Sequence, residues 1–131
     1  MSVIPSLAAG LAQLQALASF LDMGSDNATF IFYDDTKPAS VNVAANSSAK
    51  LVTLTFPKPC FKQLNTNGIE LNQTDAALVI KAGTAVWARI YNGNGDAVAD
   101  FAVGTEIALA NPNLVIGSTL MINSFVLKPT T

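Results

Sequence analysis

A chain of 131 residues, 50% apolar and only 12% charged, is long enough for one domain that buries roughly two-thirds of the surface its unfolded form exposes. An ordinary globular chain is about 25% charged, so Asn, Thr, Ser, Gln and Ala must cover much of this surface, and an exterior so weakly charged favours association over a free monomer. The net charge is −2, and Lys37, Lys50, Lys58, Lys62, Lys81, Arg89 and Lys128 form no run, which argues against direct binding of nucleic acid, whose phosphates require clustered cations.

Histidine is absent, which removes the commonest general base, the commonest metal ligand and the Ser-His-Asp triad together. The single cysteine, Cys60, excludes an intrachain disulfide and a thiolate metal cluster, and reads as a small buried hydrophobe. No cofactor or metal is expected.

From Pro5 to Asp22 the residues Leu7, Leu11, Leu14, Ala18 and Leu21 recur at steps of four and three, widened by Leu17 and Phe20. This spacing predicts an amphipathic helix, begun by Pro5 in its first turn and stopped by Gly24. The stretch Ile4 to Leu21 lacks a positive leader and contains Gln13 and Gln15, so it is expected to be retained rather than cleaved as a signal peptide. No run reaches the roughly 18 apolar residues of a membrane span. Leu7, Leu11, Leu14 and Leu21 serve either the domain's own core or an assembly contact with a neighbouring subunit.

After Gly24 the period becomes extended. Thr29 to Tyr33 predicts a strand closed by the turn Asp34-Asp35-Thr36-Lys37-Pro38, Val41 to Ser48 a loop or irregular edge strand, and Leu51 to Phe56 a half-buried strand ended by Pro57 and Pro59. Gly68 to Leu71 and Ala76 to Ile80 read as short strands. The stretch Thr84 to Tyr91, the turn Asn92-Gly93-Asn94-Gly95 and the stretch Ala97 to Val103 read as a hairpin whose Asn-Gly steps supply the positive φ angles. Asn113 to Ile116 and Thr119 to Leu127, joined by Gly117-Ser118, predict a closing hairpin. The expected fold is mainly β: an N-terminal α-helical segment, residues 1–24, followed by an antiparallel β-sandwich or partly closed barrel, residues 25–131, the whole forming one structural unit.

Motifs for chemistry are sparse. Asp34 and Asp35 are adjacent on extended chain and point to opposite faces, which suits a turn better than a shared proton. Asn92, Asn94 and Asp96 have the alternate spacing of a calcium loop but lack the following bidentate glutamate. Gly93-Asn94-Gly95 precedes a strand rather than the helix N-terminus that a phosphate loop requires. Trp87 and Arg89 share a strand face, either as a core anchor with its rim or, with Tyr33 and Tyr91, as a ligand platform suited to sugars.

Several segments together resemble a family of small virion proteins encoded by tailed bacteriophages and prophages. They are Leu21-Asp22-Met23-Gly24 after the helix, the aromatic strand into Tyr33 with Thr36-Lys37-Pro38-Ala39, and Leu51 to Phe56 followed by Pro59. Thr84 to Ile90, Ala97-Val98 with Asp100, Val103-Gly104-Thr105, Leu114 to Gly117 and Ile122 to Phe125 complete the pattern. Asp34-Asp35 stands where a turn glycine is expected in such proteins.

The resemblance implies a structural component of the virion and carries no catalytic residue. The leading expectation is a non-enzymatic capsid decoration or minor capsid protein, assembled in the bacterial cytoplasm, homo-oligomeric, bound to the major capsid protein or other virion subunits, and touching neither nucleic acid nor membrane. Its helix, or the termini Met1 to Ile4 and Lys128 to Thr131, would cross subunit boundaries. The alternative is a tail or baseplate accessory domain that binds host surface glycan through Tyr33, Trp87 and Tyr91. An enzyme would need an acid–base pair such as Asp100 with Glu106.

Overall fold

A computed structural model describes residues 5–129. Residues 1–4, 130 and 131, on which part of the expected terminal contact falls, lie outside the described residues. Helix α1 spans Leu7–Leu21, and its N-cap is Ser6, whose hydroxyl accepts from the Ala9 amide at 3.3 Å. Pro5 therefore precedes the cap instead of occupying the first turn. The buried face is Gly10, Ala18 and Leu21, with Leu14 and Leu17 packed on the core, whereas Leu7 and Phe20 stay 41% and 39% exposed. Leu11 is half-buried.

The strands that follow are β1 (Thr29–Tyr33), β2 (Lys50–Thr55), β3 (Phe61–Leu64), β4 (Ile69–Leu71), β5 (Ala77–Leu78) and β6 (Gly83–Thr84). They continue with β7 (Trp87–Tyr91), β8 (Ala97–Ala102), β9 (Asn113–Leu114), β10 (Thr119–Leu120) and β11 (Phe125–Leu127). A four-stranded antiparallel sheet has the order β2-β1-β7-β8, and a three-stranded one the order β11-β4-β3. Two short antiparallel ribbons, β10-β5 and β6-β9, complete the β-structure of the described residues. The fold is thus mainly β and sandwich-like after one helix, and no barrel closes among the described residues.

The core lies between the two larger sheets and α1. Phe30 is fully buried, with the rings of Phe32, Phe56, Phe101 and Phe125 at 4.8–6.1 Å. The alternation of β1, β2 and β7 sends Phe30, Phe32, Val52, Leu54, Ala88 and Ile90 to this side. Helix and sheets share one core. The Asp22 carboxylate accepts from the Cys60 amide at 3.0 Å, and the Cys60 thiol donates to the Ala18 carbonyl at 3.5 Å.

Three local expectations need correction. The stretch Thr84 to Tyr91 is not one strand, because Gly83–Thr84 pairs with β9 and only Trp87–Tyr91 joins the large sheet. Between them the Ala85 amide is drawn to the Pro112 carbonyl (2.8 Å) as the chain changes sheets. The closing hairpin is absent, since β9, β10 and β11 each pair with an earlier strand, β6, β5 and β4, and two-residue partners leave no length for pairing with each other. Strand β3 went unread because its Phe-Lys-Gln-Leu has no alternation and follows two prolines.

The β7–β8 turn also differs in its conformation. Only Gly95 takes a positive φ, of 86°, and the Asn92 side chain shapes the loop by accepting from the amides of Asn94 (3.0 Å) and Asp96 (2.9 Å). Gly93 is needed for closeness rather than for dihedral freedom, because a Cβ there would collide with the carbonyl oxygens of Asp26 and Met23 in the loop after α1. At Gly95 a Cβ would meet nothing within 4 Å. Gly93→Ala should therefore cost about 3 kcal/mol by overpacking, and Gly95→Ala only about 1–2 kcal/mol of dihedral strain, a ranking that urea denaturation checks.

Burial pushes the Cys60 thiol up to about 12, and the charge of Asp22 adds to the effect. Burial, reinforced by the hydroxyl of Tyr91, raises Tyr33 as well. Both groups are held neutral by the fold, so their contribution is complete below their unfolded pKa values and disappears as pH climbs through the folded ones. The denaturation midpoint should fall as pH rises from about 9 toward about 12, and Cys60→Ala should flatten the lower part of that decline.

Candidate functional site

The expected platform residues do come together. Antiparallel pairing sets Tyr33 opposite Trp87, Ile31 opposite Arg89 and Thr29 opposite Tyr91, which places Trp87, Arg89 and Tyr91 on the face of the large sheet that points away from the core. The Tyr33 and Trp87 rings stack at 4.4 Å and 18°, and the hydroxyls of Tyr33 and Tyr91 share a hydrogen bond of 3.0 Å. The Arg89 guanidinium lies 5.2 Å from the Trp87 ring centroid, within cation–π range.

This cluster is covered, though not by the second sheet. The segment from Asp34 to Ala49 folds back over it as a strap, and Ala45 and Ala49 pack against Tyr33 and Trp87. Arg89 fastens the strap: its Nε and Nη2 donate to the Asp100 carboxylate at 2.6 and 3.0 Å, and its Nη1 donates to the Val43 carbonyl at 2.8 Å. Nη2 also reaches the Ser40 carbonyl at 3.4 Å. The Trp87 indole N–H donates to Asp35 at 2.7 Å, and Lys81 bonds both Asp34 and the Ser48 carbonyl at 3.0 Å.

The Arg89 and Asp100 side chains are 2% and 5% exposed, and the bidentate bond to Asp100 raises the arginine's pKa, holding its charge. Trp87 and Tyr33 are buried and Tyr91 half-buried, so the rings stiffen the strap and offer no open face to a sugar.

The acidic residues weighed for chemistry are in structural bonds. Asp100 belongs to Arg89, and Glu106 accepts from the Ala102 amide at 2.9 Å. Asn92, from the loop with calcium-like spacing, turns its oxygen to backbone amides. Among the described residues no three His, Cys, Asp or Glu side chains are grouped to hold a metal.

Of the helix residues proposed for assembly, Leu21 is core, Leu14 packs on the core, Leu11 is half-buried and only Leu7 is exposed, so they make no common outward face. A different surface emerges instead. Leu78, Ile80, Val115 and Ile116 are 60–64% exposed. They lie on adjacent backbone, since Thr119 pairs with Leu78, and Val79 exchanges bonds with Ser118 (2.8 Å) and Gly117 (3.0 Å).

No charged residue occurs between Glu106 and Lys128, and a groove lined from Ala108 to Ser124 is built wholly from that uncharged stretch. Part of the signal was in the sequence: in the apolar triplet Leu78-Val79-Ile80, extended chain points both neighbours of Val79 to the opposite face, whereas alternation does not account for adjacent Val115 and Ile116 both being exposed. Comparison with family models, with curated proteins and with solved structures finds no match to this chain.

Arg89→Met would leave the Asp100 carboxylate buried without its partner and two strap carbonyls without a donor, a loss of about 3–5 kcal/mol. The double variant Arg89→Met with Asp100→Leu should recover most of it. Trp87 is the only tryptophan, so its fluorescence should shift to the red in the single variant, as the strap lifts, and return toward wild type in the double.

Proposed function

We propose that this chain is a non-enzymatic structural subunit of a bacteriophage virion, a head decoration or minor capsid protein. In this reading it seats its uncharged face on the shell formed by the major capsid protein. The observation that carries this is the exposed group Leu78, Ile80, Val115 and Ile116 beside a stretch without a single charge. An apolar area of this kind is unfavourable in water and is relieved when a partner covers it.

The engagement of Asp100, Glu106, Asp34 and Asp35 in bonds that hold the fold supports a structural rather than a catalytic role. The family resemblance of the sequence supplies the virion context.

Ile116→Asp combined with Leu78→Asp alters only exposed side chains, so stability should stay within about 0.5 kcal/mol of wild type. Two carboxylates driven into an apolar contact without partners should weaken attachment to preformed shells about 100-fold or more. Co-sedimentation with shells measures this, and undiminished decoration by the folded double variant would refute the reading. Imaging of intact particles gives the copy number, expected on the order of hundreds for a head protein and roughly tens or fewer for a tail component.

A further inference from the structure

Glycine follows asparagine at three places in this chain, Asn67-Gly68, Asn92-Gly93 and Asn94-Gly95. Each step sets an electrophile beside a nucleophile, because a residue without a side chain lets its amide nitrogen approach the carboxamide carbon of the asparagine before it. As sequence the three are equivalent. The fold makes them different.

Asn92 is buried, and its side-chain oxygen accepts from the amides of Asn94 (3.0 Å) and Asp96 (2.9 Å) while its nitrogen reaches the Asp96 carboxylate at 3.5 Å. Turning that carboxamide toward the Gly93 amide would break these bonds and leave two amides without their acceptor. At Asn94 the side chain is exposed, but the nucleophile is engaged: the Gly95 amide donates to the Asn92 carbonyl at 3.0 Å.

Asn67 has neither restraint. It lies in the β3–β4 connection, which the Asn65 amide closes by donating to the Gly68 carbonyl at 2.8 Å. The neighbouring Asn65 side chain takes a bond from Gln63 at 3.1 Å, whereas Asn67 is exposed and its carboxamide has no partner among the described residues. The Gly68 amide likewise has no partner among them. Glycine is required at that position, because a Cβ would meet the Leu127 carbonyl oxygen at 2.5 Å and a Val126 methyl at 2.9 Å. Packing thus keeps beside Asn67 the one residue type whose amide no side chain shields.

We propose that Asn67-Gly68 is a self-modifying site, the one asparagine–glycine step that the folded chain leaves open to deamidation. The Gly68 amide gives its proton to solvent hydroxide, and its nitrogen bonds to Cγ of Asn67. The Cγ–Nδ2 bond breaks and ammonia leaves with a proton from water, which closes a five-membered succinimide. Water then adds to one of the two imide carbonyls. Opening at Cγ yields aspartate, and opening at the main-chain carbonyl yields isoaspartate, with the chain running through the former side chain. In sum a carboxamide and water become a carboxylate and ammonium, with no change of oxidation state.

Either product adds one negative charge to a chain whose net charge is −2. Isoaspartate also adds a methylene to the main chain directly before Gly68, whose carbonyl closes the hairpin and whose Cα has no room toward Leu127. The strain falls on the β3–β4 turn next to the Leu64–Ile69 pair.

The reaction is followed on the isolated chain, so its outcome is separate from that of shell attachment. Purified protein is held in mildly alkaline buffer, folded or unfolded in urea, then digested and sequenced by mass spectrometry at successive times. In the folded chain acid at position 67 should accumulate about ten-fold or more faster than at 92 or 94. In urea the three rates should converge to within a few-fold. Aspartate and isoaspartate forms of the peptide should separate on chromatography and together account for the acidic species seen by isoelectric focusing. Asn67→Gln would need a larger ring for the same attack and should remove that species from the folded protein. Rates at 92 or 94 that match the rate at 67 in the folded chain would overturn the proposal. So would a preference for 67 that is equally large in urea, since sequence rather than fold would then set it, or an acidic species that forms undiminished in folded Asn67→Gln.

Discussion

Strand β7 must be covered on both sides, and much of the molecule follows from that constraint. Ala88 and Ile90 turn to the core shared with the second sheet, and Trp87 and Arg89, buried just as deeply, turn the other way. A sheet with only one partner layer would leave this second face in water. The chain supplies the missing cover from the long connection between β1 and β2, which carries little apolar area of its own: Ala45 and Ala49 are its packing residues. Polar bonds do what hydrophobic burial cannot do there. Arg89 reaches from the sheet to the carbonyls of Ser40 and Val43 while Asp100 holds it from the neighbouring strand. A guanidinium suits the task because its five donors lie in a rigid fork, so one side chain can satisfy a carboxylate and two carbonyls together.

The parts of the fold governed by local periodicity were legible in the sequence. Helix α1, β1, β2 and the β7–β8 hairpin each follow from alternation or a three-and-four spacing longer than one turn, and the shared face of Trp87, Arg89 and Tyr91 follows from period two alone. The parts governed by distant pairing were not. A two-residue strand such as β9 or β10 has no period, and its partner is decided by which earlier segment the chain passes, so the expected closing hairpin gave way to pairing with β6, β5 and β4. The aromatic group shows the same division. Its composition and sidedness could be read from residues 33 and 87–91, but its cover could not, because an Asn-, Ala- and Ser-rich segment has no pattern that says it will lie against a sheet. The surface at Leu78, Ile80, Val115 and Ile116 could not be read because it depends on which segments β5 and β10 pair with, which the local sequence does not specify.

The small complement of charge is placed with the same economy. Arg89 and Asp100 are almost wholly enclosed, Lys81 binds Asp34 and the Ser48 carbonyl at the strap's far end, and the Asp22 carboxylate anchors the loop at Cys60. Charges that hold loops to sheets are unavailable to make the exterior repel other proteins. The consequence is an outer surface in which the stretch between Glu106 and Lys128 carries none. For a freely diffusing protein this would be a liability toward aggregation. Under the proposed role, a neighbouring subunit would cover that apolar area. The arrangement that fixes the strap and the arrangement that favours association are therefore two results of one distribution of charge.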